Sequence, residues 1–175
     1  DLEDPASYAD LPGAGTFDVL IAMGVLPHVS SVRQGIVNAM NLVRPGGHVF
    51  LEFRNALFSL VTFNRYTREF INEQLLGDAS PEVRAAVEAE LHKRLNLEIP
   101  SGVIHPEAFH VPFEVVEIAR EVGLREPRII PFHFHSGMPA IEREVAQPYR
   151  LDSVALEDDA SGWRGLFLAS AYLLH

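Results

Sequence analysis

Apolar residues in this chain fall into short runs bounded by turn formers, and the first two runs frame a crossover. Residues 17–25, FDVLIAMGV, make one apolar run whose single charge is Asp18, and residues 48–53, HVFLEF, make a second. The segment between them reads as a helix, with Ser30 or Ser31 as its cap and Arg44-Pro45-Gly46-Gly47 as its stop. Strand, helix and strand in this order predict a parallel pair. A parallel pair is covered by helices on both faces, and in open α/β sheets the ligand lies beyond the carboxyl ends of the strands.

The remainder continues in the same style. Between residues 56 and 76, Phe58, Phe63, Tyr66 and Phe70 recur at near-helical spacing. Ser80-Pro81-Glu82 is a helix start, and Val83, Val87, Leu91 and Leu95 fall every fourth residue, predicting one narrow buried stripe on a helix that runs to Leu95 or Leu97. After Pro100-Ser101-Gly102 a loop leads to the amphipathic FEVVEIAREVGL, ended by Gly123. Residues 128–134, RIIPFHF, read as a strand in which Pro131 suits an edge or a bulge, and residues 163–174, WRGLFLASAYLL, as the last strand.

Composition narrows the classes. A chain of 175 residues with 47% hydrophobic content buries one sizeable core. No stretch approaches the ~20 uninterrupted apolar residues of a membrane span. The acidic start DLEDPASYAD is unlike a basic signal sequence, so a cytoplasmic protein is expected. The absence of cysteine excludes disulfides and thiolate metal sites. A net charge of −10, with only 14 scattered Lys and Arg, argues against a nucleic-acid groove.

The FDVLIAMGVLPHV strand, the helix after it and RPGGHVFLEF together resemble the second half of a class I S-adenosylmethionine-dependent methyltransferase. That family shows an aspartate opening its fourth strand, a "vLxHv" segment, a helix, and a Pro-Gly-Gly turn into the fifth strand. The resemblance implies a Rossmann-like α/β sheet, mostly parallel with the last strand antiparallel between the fifth and sixth. Residues 56–100 then correspond to an inserted helical lid within a single domain. The family's glycine-rich loop is not found; Gly13-Ala14-Gly15 precedes a strand rather than opening a helix. The domain is therefore expected to be incomplete at its amino end, which would expose the edge of the 17–25 strand to a second copy.

The resemblance also assigns candidate residues. Asp1 and Leu2 occupy the place of an acidic residue that meets the adenine of S-adenosylmethionine, with its neighbour against the ring. Ala22, Met23 and Gly24 end the fourth strand, where carbonyls receive the methionine ammonium, and Leu26 follows in the same motif. A solvated acidic terminus at Asp1 and strand packing at Ala22, Met23 and Gly24 are the alternative readings. His28, and His133 and His135 near the sixth strand's end, are candidate bases or orienters of a small-molecule acceptor. Arg54, with Asn55, ends the fifth strand; its guanidinium could clamp a carboxylate or phosphate or pair with Glu52 or the lid. Asn64 and Tyr66 are lid candidates for substrate.

Two other readings stay open. A non-catalytic domain would keep the fold for partner binding, as the missing glycine loop allows. A histidine-ligated metal enzyme would use His133 and His135 with His105, Glu107 and His110. The crossover pattern and the interrupting Pro106 and Pro112 speak against that metal set, so no metal is expected.

Overall fold

The computed structural model describes residues 2–11, 15–95, 107–158 and 162–175. Asp1, Gly13 and Ala14, the Pro100-Ser101-Gly102 loop, His105 and Pro106 lie outside the described residues. The chain divides into two compact units, one of Asp1–Asn55, Glu107–Phe132 and Ala171–His175, the other of Ala56–Pro106 and His133–Ser170.

In the first unit, β1 (Phe17–Ala22) pairs parallel with β2 (Val43–Asn55), joined by α1 (Val32–Leu42). This is the expected crossover. Ser31 caps α1, its hydroxyl accepting from the Gln34 N–H at 3.3 Å, and Glu3 adds its carboxylate to the Ser30 and Ser31 amides, both at 2.8 Å. An acid at a helix start complements the helix dipole.

The second strand begins earlier than expected, at Val43 rather than His48, because the turn is absorbed as a bulge. Phe17 faces Val43 and Val19 faces His48, so Arg44-Pro45-Gly46-Gly47 are looped out of register. Gly47 is required there: a Cβ would stand 2.7 Å from the Asp18 carbonyl oxygen and 3.1 Å from that of Phe17.

Across β2 the family order is completed. The sheet runs β1, β2, β5 (Ala169–Leu174), β4 (Ile129–Phe134), with β5 antiparallel to β2. A short β3 (Phe109–His110) adds in parallel at Arg54 and Asn55. Pro131 sits on β4, the end strand of that order, where a missing N–H costs no ladder bond. The last strand is shorter than expected, because Gly165–Leu168 forms a single helical turn before Ala169.

Alternate residues of β2, Val49, Leu51 and Phe53, are buried against Ile36 and Ala39 of α1 and Val115 and Ala119 of α5 (Pro112–Glu121), with Tyr172 and Leu174 from β5. Helices were expected on both faces, but on β1 only one face is covered. Phe17, Val19, Ile21 and Met23, alternating along the strand and beyond it, are exposed.

The second unit is mainly helical. The aromatic stretch is not one helix: α2 (Ser59–Thr62) ends at Phe63, whose φ of +53° is left-handed, and α3 (Arg65–Glu69) restarts after it and widens into a π turn, Phe70–Leu75. Asn64 forces the restart, capping α3 in a reciprocal box with Thr67. The next helix, α4 (Pro81–Arg94), has no buried residue. The expected stripe is at best half-covered, with Val83 exposed, because polar contacts seat the helix: Glu88 meets Arg68 at 3.2 Å and also Asn72. The unit closes with α6 (Ala146–Glu157) and α7 (Gly165–Leu168). Among the described residues no helix is long and apolar enough to cross a membrane.

Candidate active site

A candidate site opens at the carboxyl end of β1, within the first unit. β1 ends at Ala22, and the chain turns at Gly24 with φ +66°, a conformation that strains any residue with a side chain. Nothing lies within 4 Å of where a Gly24 Cβ would stand, so the backbone faces open space. The turn is held from β2: the Gly24 N–H donates to Glu52 Oε2 at 2.6 Å. The following turn, Leu26–His28, is tied to the strand-like segment before β3, as the Ala108 N–H donates to the Pro27 carbonyl at 2.8 Å.

A depression of about 740 Å³ opens over this turn, within the range of small-molecule sites. Its wall brings together Leu2, Ala22, Met23, Gly24 and His28, residues 26 apart in sequence at the extremes. Four of the expected cofactor residues and one candidate base thus share one hollow. Ser7 and Tyr8 complete it, delivered by a short turn that Asp4 caps by accepting from the Ala6 N–H at 3.0 Å. Sequence reasoning missed both. The Asp4-Pro5 start signal was the clue, since an aspartate before proline begins a helical turn. Burial, then the nearby Asp4 carboxylate, raises the Tyr8 phenol above its ordinary value and favours the neutral form.

Other expected residues stand differently. Leu26 is wholly buried in the core beneath the hollow. Glu3 and Asp4 are spent on helix starts, and the Leu2 carbonyl accepts from the Asn38 amide at 2.8 Å. Arg54 does not line the hollow; its guanidinium meets Glu107, at 2.8 Å from Nε, and lies within 4.0 Å of Glu52. The ion pair with Glu52 is one of its sequence readings, and Glu107, which sequence reasoning had placed in a metal set, is a further partner. Asn55 is buried. His110, with its ring edge on Phe53, is held below the ordinary histidine value by burial.

His133 and His135 belong to the second unit and form a cluster of their own, with ring centroids 5.2 Å apart. The His133 backbone is left-handed, φ +59°, and its Nδ1 lies 3.0 Å from the Ser170 hydroxyl. Tyr149 donates its hydroxyl to the Gly137 carbonyl at 3.0 Å, so it accepts from His135 Nδ1 at 3.1 Å. That pairing fixes the tautomer and leaves Nε2 as the basic nitrogen. Burial and then His133 hold the His135 ring neutral, below its ordinary value. Asn64 Oδ1 accepts from the Tyr66 N–H and the Thr62 hydroxyl, both at 2.9 Å, and Arg65 lies 4.5 Å over the Tyr66 ring and bonds its hydroxyl. No group of three or more metal-ligating side chains occurs among the described residues.

No protein-family model matches the chain. It is 30% identical over 122 residues to the ubiquinone biosynthesis O-methyltransferase of Cronobacter sakazakii, an alignment covering 70% of this chain and 40% of that protein. To the protein of the same name from Vibrio parahaemolyticus it is 30% identical over 122 residues, 70% of this chain and 42% of the relative. The chain thus spans well under half of the curated relatives it matches. A SAM dependent methyltransferase from Archaeoglobus fulgidus, solved by crystallography, aligns with 98% of this chain and 63% of its own at a TM-score of 0.44 and 12% identity. In its motifs, its strand order and its curated relatives, the chain is similar to the class I, Rossmann-like S-adenosylmethionine-dependent methyltransferases.

Proposed function

We propose that this chain takes part in methylating a hydroxyl group of a small molecule, with S-adenosylmethionine as donor. The observation that carries the reading is the convergence of Leu2, Ala22, Met23, Gly24 and His28 on one hollow. The residues present fit the cofactor: an apolar wall for adenine at Leu2 and Tyr8, and an open glycine turn that lets the backbone approach the methionine part. Asp1, the sequence candidate for the adenine amine, adjoins Leu2 in the chain. The hydroxyl acceptor follows the curated relatives, which are named O-methyltransferases.

When bound, the cofactor supplies a sulfonium methyl group, open to in-line attack. An acceptor hydroxyl that took this methyl group would have to give up its proton to a base. His28 fills that role in this reading, because it lines the same hollow and an imidazole nitrogen can accept a proton. Glu52 positions the site by fixing the Gly24 turn. The chain's contribution is proximity, alignment and a proton acceptor.

Labelled-methyl transfer to a panel of phenols and alcohols tests the reading. Replacing His28 by Ala should lower turnover by about 10²- to 10⁴-fold while leaving S-adenosylhomocysteine affinity within about twofold. Unchanged turnover would remove His28 as the base. Amide NMR shifts on adding S-adenosylhomocysteine that spare Met23 and Gly24 would remove the hollow.

A further inference from the structure

The first unit has a second cavity, of about 750 Å³, at the other end of the β1–β2 pair. It lies where the looped-out Arg44-Pro45-Gly46-Gly47 meets the turn that follows α5, far along the strands from the Gly24 hollow. In a chain of net charge −10, three arginines line it, Arg44, Arg125 and Arg128, against a single carboxylate, Glu126. Those cations are only partly neutralised. Arg44 is held by Asp18 at 2.7 Å, Arg128 reaches Glu126 only at 3.9 Å, and Arg125 has no ion partner among the described residues.

The floor is built rather than loose. Arg128 and His175 exchange backbone hydrogen bonds, Arg128 N–H to the His175 carbonyl at 2.7 Å and His175 N–H to the Arg128 carbonyl at 2.9 Å. The His175 ring stacks on Phe50, with centroids 4.4 Å apart and planes 2° apart, and its Nε2 meets His48 Nδ1 at 2.9 Å. Two ring nitrogens at that distance share one proton, so one ring donates and the other accepts. Burial, then His48 and Arg128, hold the His175 ring below its ordinary value.

We propose that this cavity is a ligand site for a small phosphate monoester, separate from the methyl-transfer hollow. Planar guanidinium forks match phosphate oxygens in pairs, the cavity leaves room for the organic part of a metabolite, and an anion would offset the charge that Arg125 and Arg128 leave uncompensated. A polyanion does not fit, because three arginines cannot offset the repulsion of a strongly acidic chain.

Glycerol 3-phosphate is the probe, titrated into the 175-residue chain and followed by amide NMR, with glycerol as the uncharged control. Shifts should concentrate at Gly46, Gly47 and Arg125, and glycerol should give none. The double change Arg125→Gln and Arg128→Gln should weaken binding by about tenfold or more, whereas Arg84→Gln, on exposed α4, should leave it within about twofold. Arg125→Lys alone, which keeps the charge but loses the fork, should fall between. No shift at these amides at millimolar probe, equal shifts from glycerol, or equal weakening by Arg84→Gln would each overturn the site. Because the readout is independent of S-adenosylmethionine, failure here leaves the methyl-transfer reading untouched.

Discussion

The sheet-bearing unit and the helical unit both bury apolar and polar side chains, but the first gathers its apolar ones into one large cluster. In the first, Ile36, Leu51, Phe53 and Leu174 are completely buried, and Val115 and Tyr172 nearly so, a hydrocarbon core between one sheet face and two helices. In the second, the buried set includes Ser59 and Thr67, and the ordering contacts are polar: Thr67 Oγ1 donates to the Ser59 carbonyl at 2.6 Å and lies 3.2 Å from Thr62 Oγ1. Tyr149, His135, Ser136 and Ser153 form a second such network. Burial of apolar surface is non-directional and tolerant, while a hydrogen-bond network depends on every member. The first arrangement suits a scaffold that must not move, and the second a region whose shape rests on a few specific bonds.

The comparison breaks or holds first on a core deletion. Leu51→Ala removes a fully buried side chain packed from both helices and should cost about 2–5 kcal/mol in chemical denaturation. Val83→Ala, on the uncovered α4, should stay within about 0.5 kcal/mol. Comparable losses would mean that α4 is packed in solution as its four-residue spacing suggested, and that the polar seat at Glu88 is secondary.

Thr67→Val is the corresponding test of the second unit. The isosteric change leaves the Asn64 N–H without the Thr67 Oγ1 that accepts from it at 3.2 Å, and leaves the Ser59 carbonyl with the Thr62 hydroxyl at 2.9 Å but without the shorter bond from Thr67. A loss of about 1–3 kcal/mol is expected. Hydrogen exchange should show it confined to the α2–α3 segment, with the β2 amides protected as before. A neutral substitution would show that the second unit, too, is held by its apolar contacts.

These two chemistries also explain what the amino-acid order revealed. The β1–α1–β2 crossover was legible because each element repeats its apolar residues at its own period, and Ser31 and the Pro-Gly-Gly turn mark the helix ends. The bulge at residues 44–47 was not, since register depends on the facing strand. In the second unit the spacing of Phe58, Phe63, Tyr66 and Phe70 imitated a continuous helix. The break was written in Asn64 and Thr67, whose side chains outcompete helix propagation by capping. Most of the hollow was legible at Leu2, Ala22, Met23, Gly24 and His28, because strand ends are local features. Glu52 and Tyr8 were not, because their roles depend on partners supplied by folding: the Gly24 amide, 28 residues from Glu52, and the wall that Tyr8 shares with β1.

The smallest expected effect compares the units through their histidines. Burial holds His110 in the first unit and His135 in the second below the ordinary value near 6.5, and His175 behaves likewise. The unfolded chain takes up these protons at the ordinary value, while the folded chain resists until lower pH. Across that interval the unfolded state binds more protons, so stability is complete above about pH 7 and declines as the pH falls below 6.5. Glu3 and Glu90, held down by hydrogen bonds, act in a separate window beneath their ordinary value of 4.5. Thermal midpoints from pH 8 to 5 should therefore fall on acidification before any carboxylate titrates. His110→Gln should flatten the fall more than His135→Gln. The His110 Nδ1 is buried without a hydrogen-bond partner among the described residues, whereas Glu142 opposes the His135 shift. Equal flattening would mean that the polar network around Tyr149 isolates its histidine from water as thoroughly as the hydrocarbon core does, and a midpoint that rose on acidification would reverse the sign of the argument in both units.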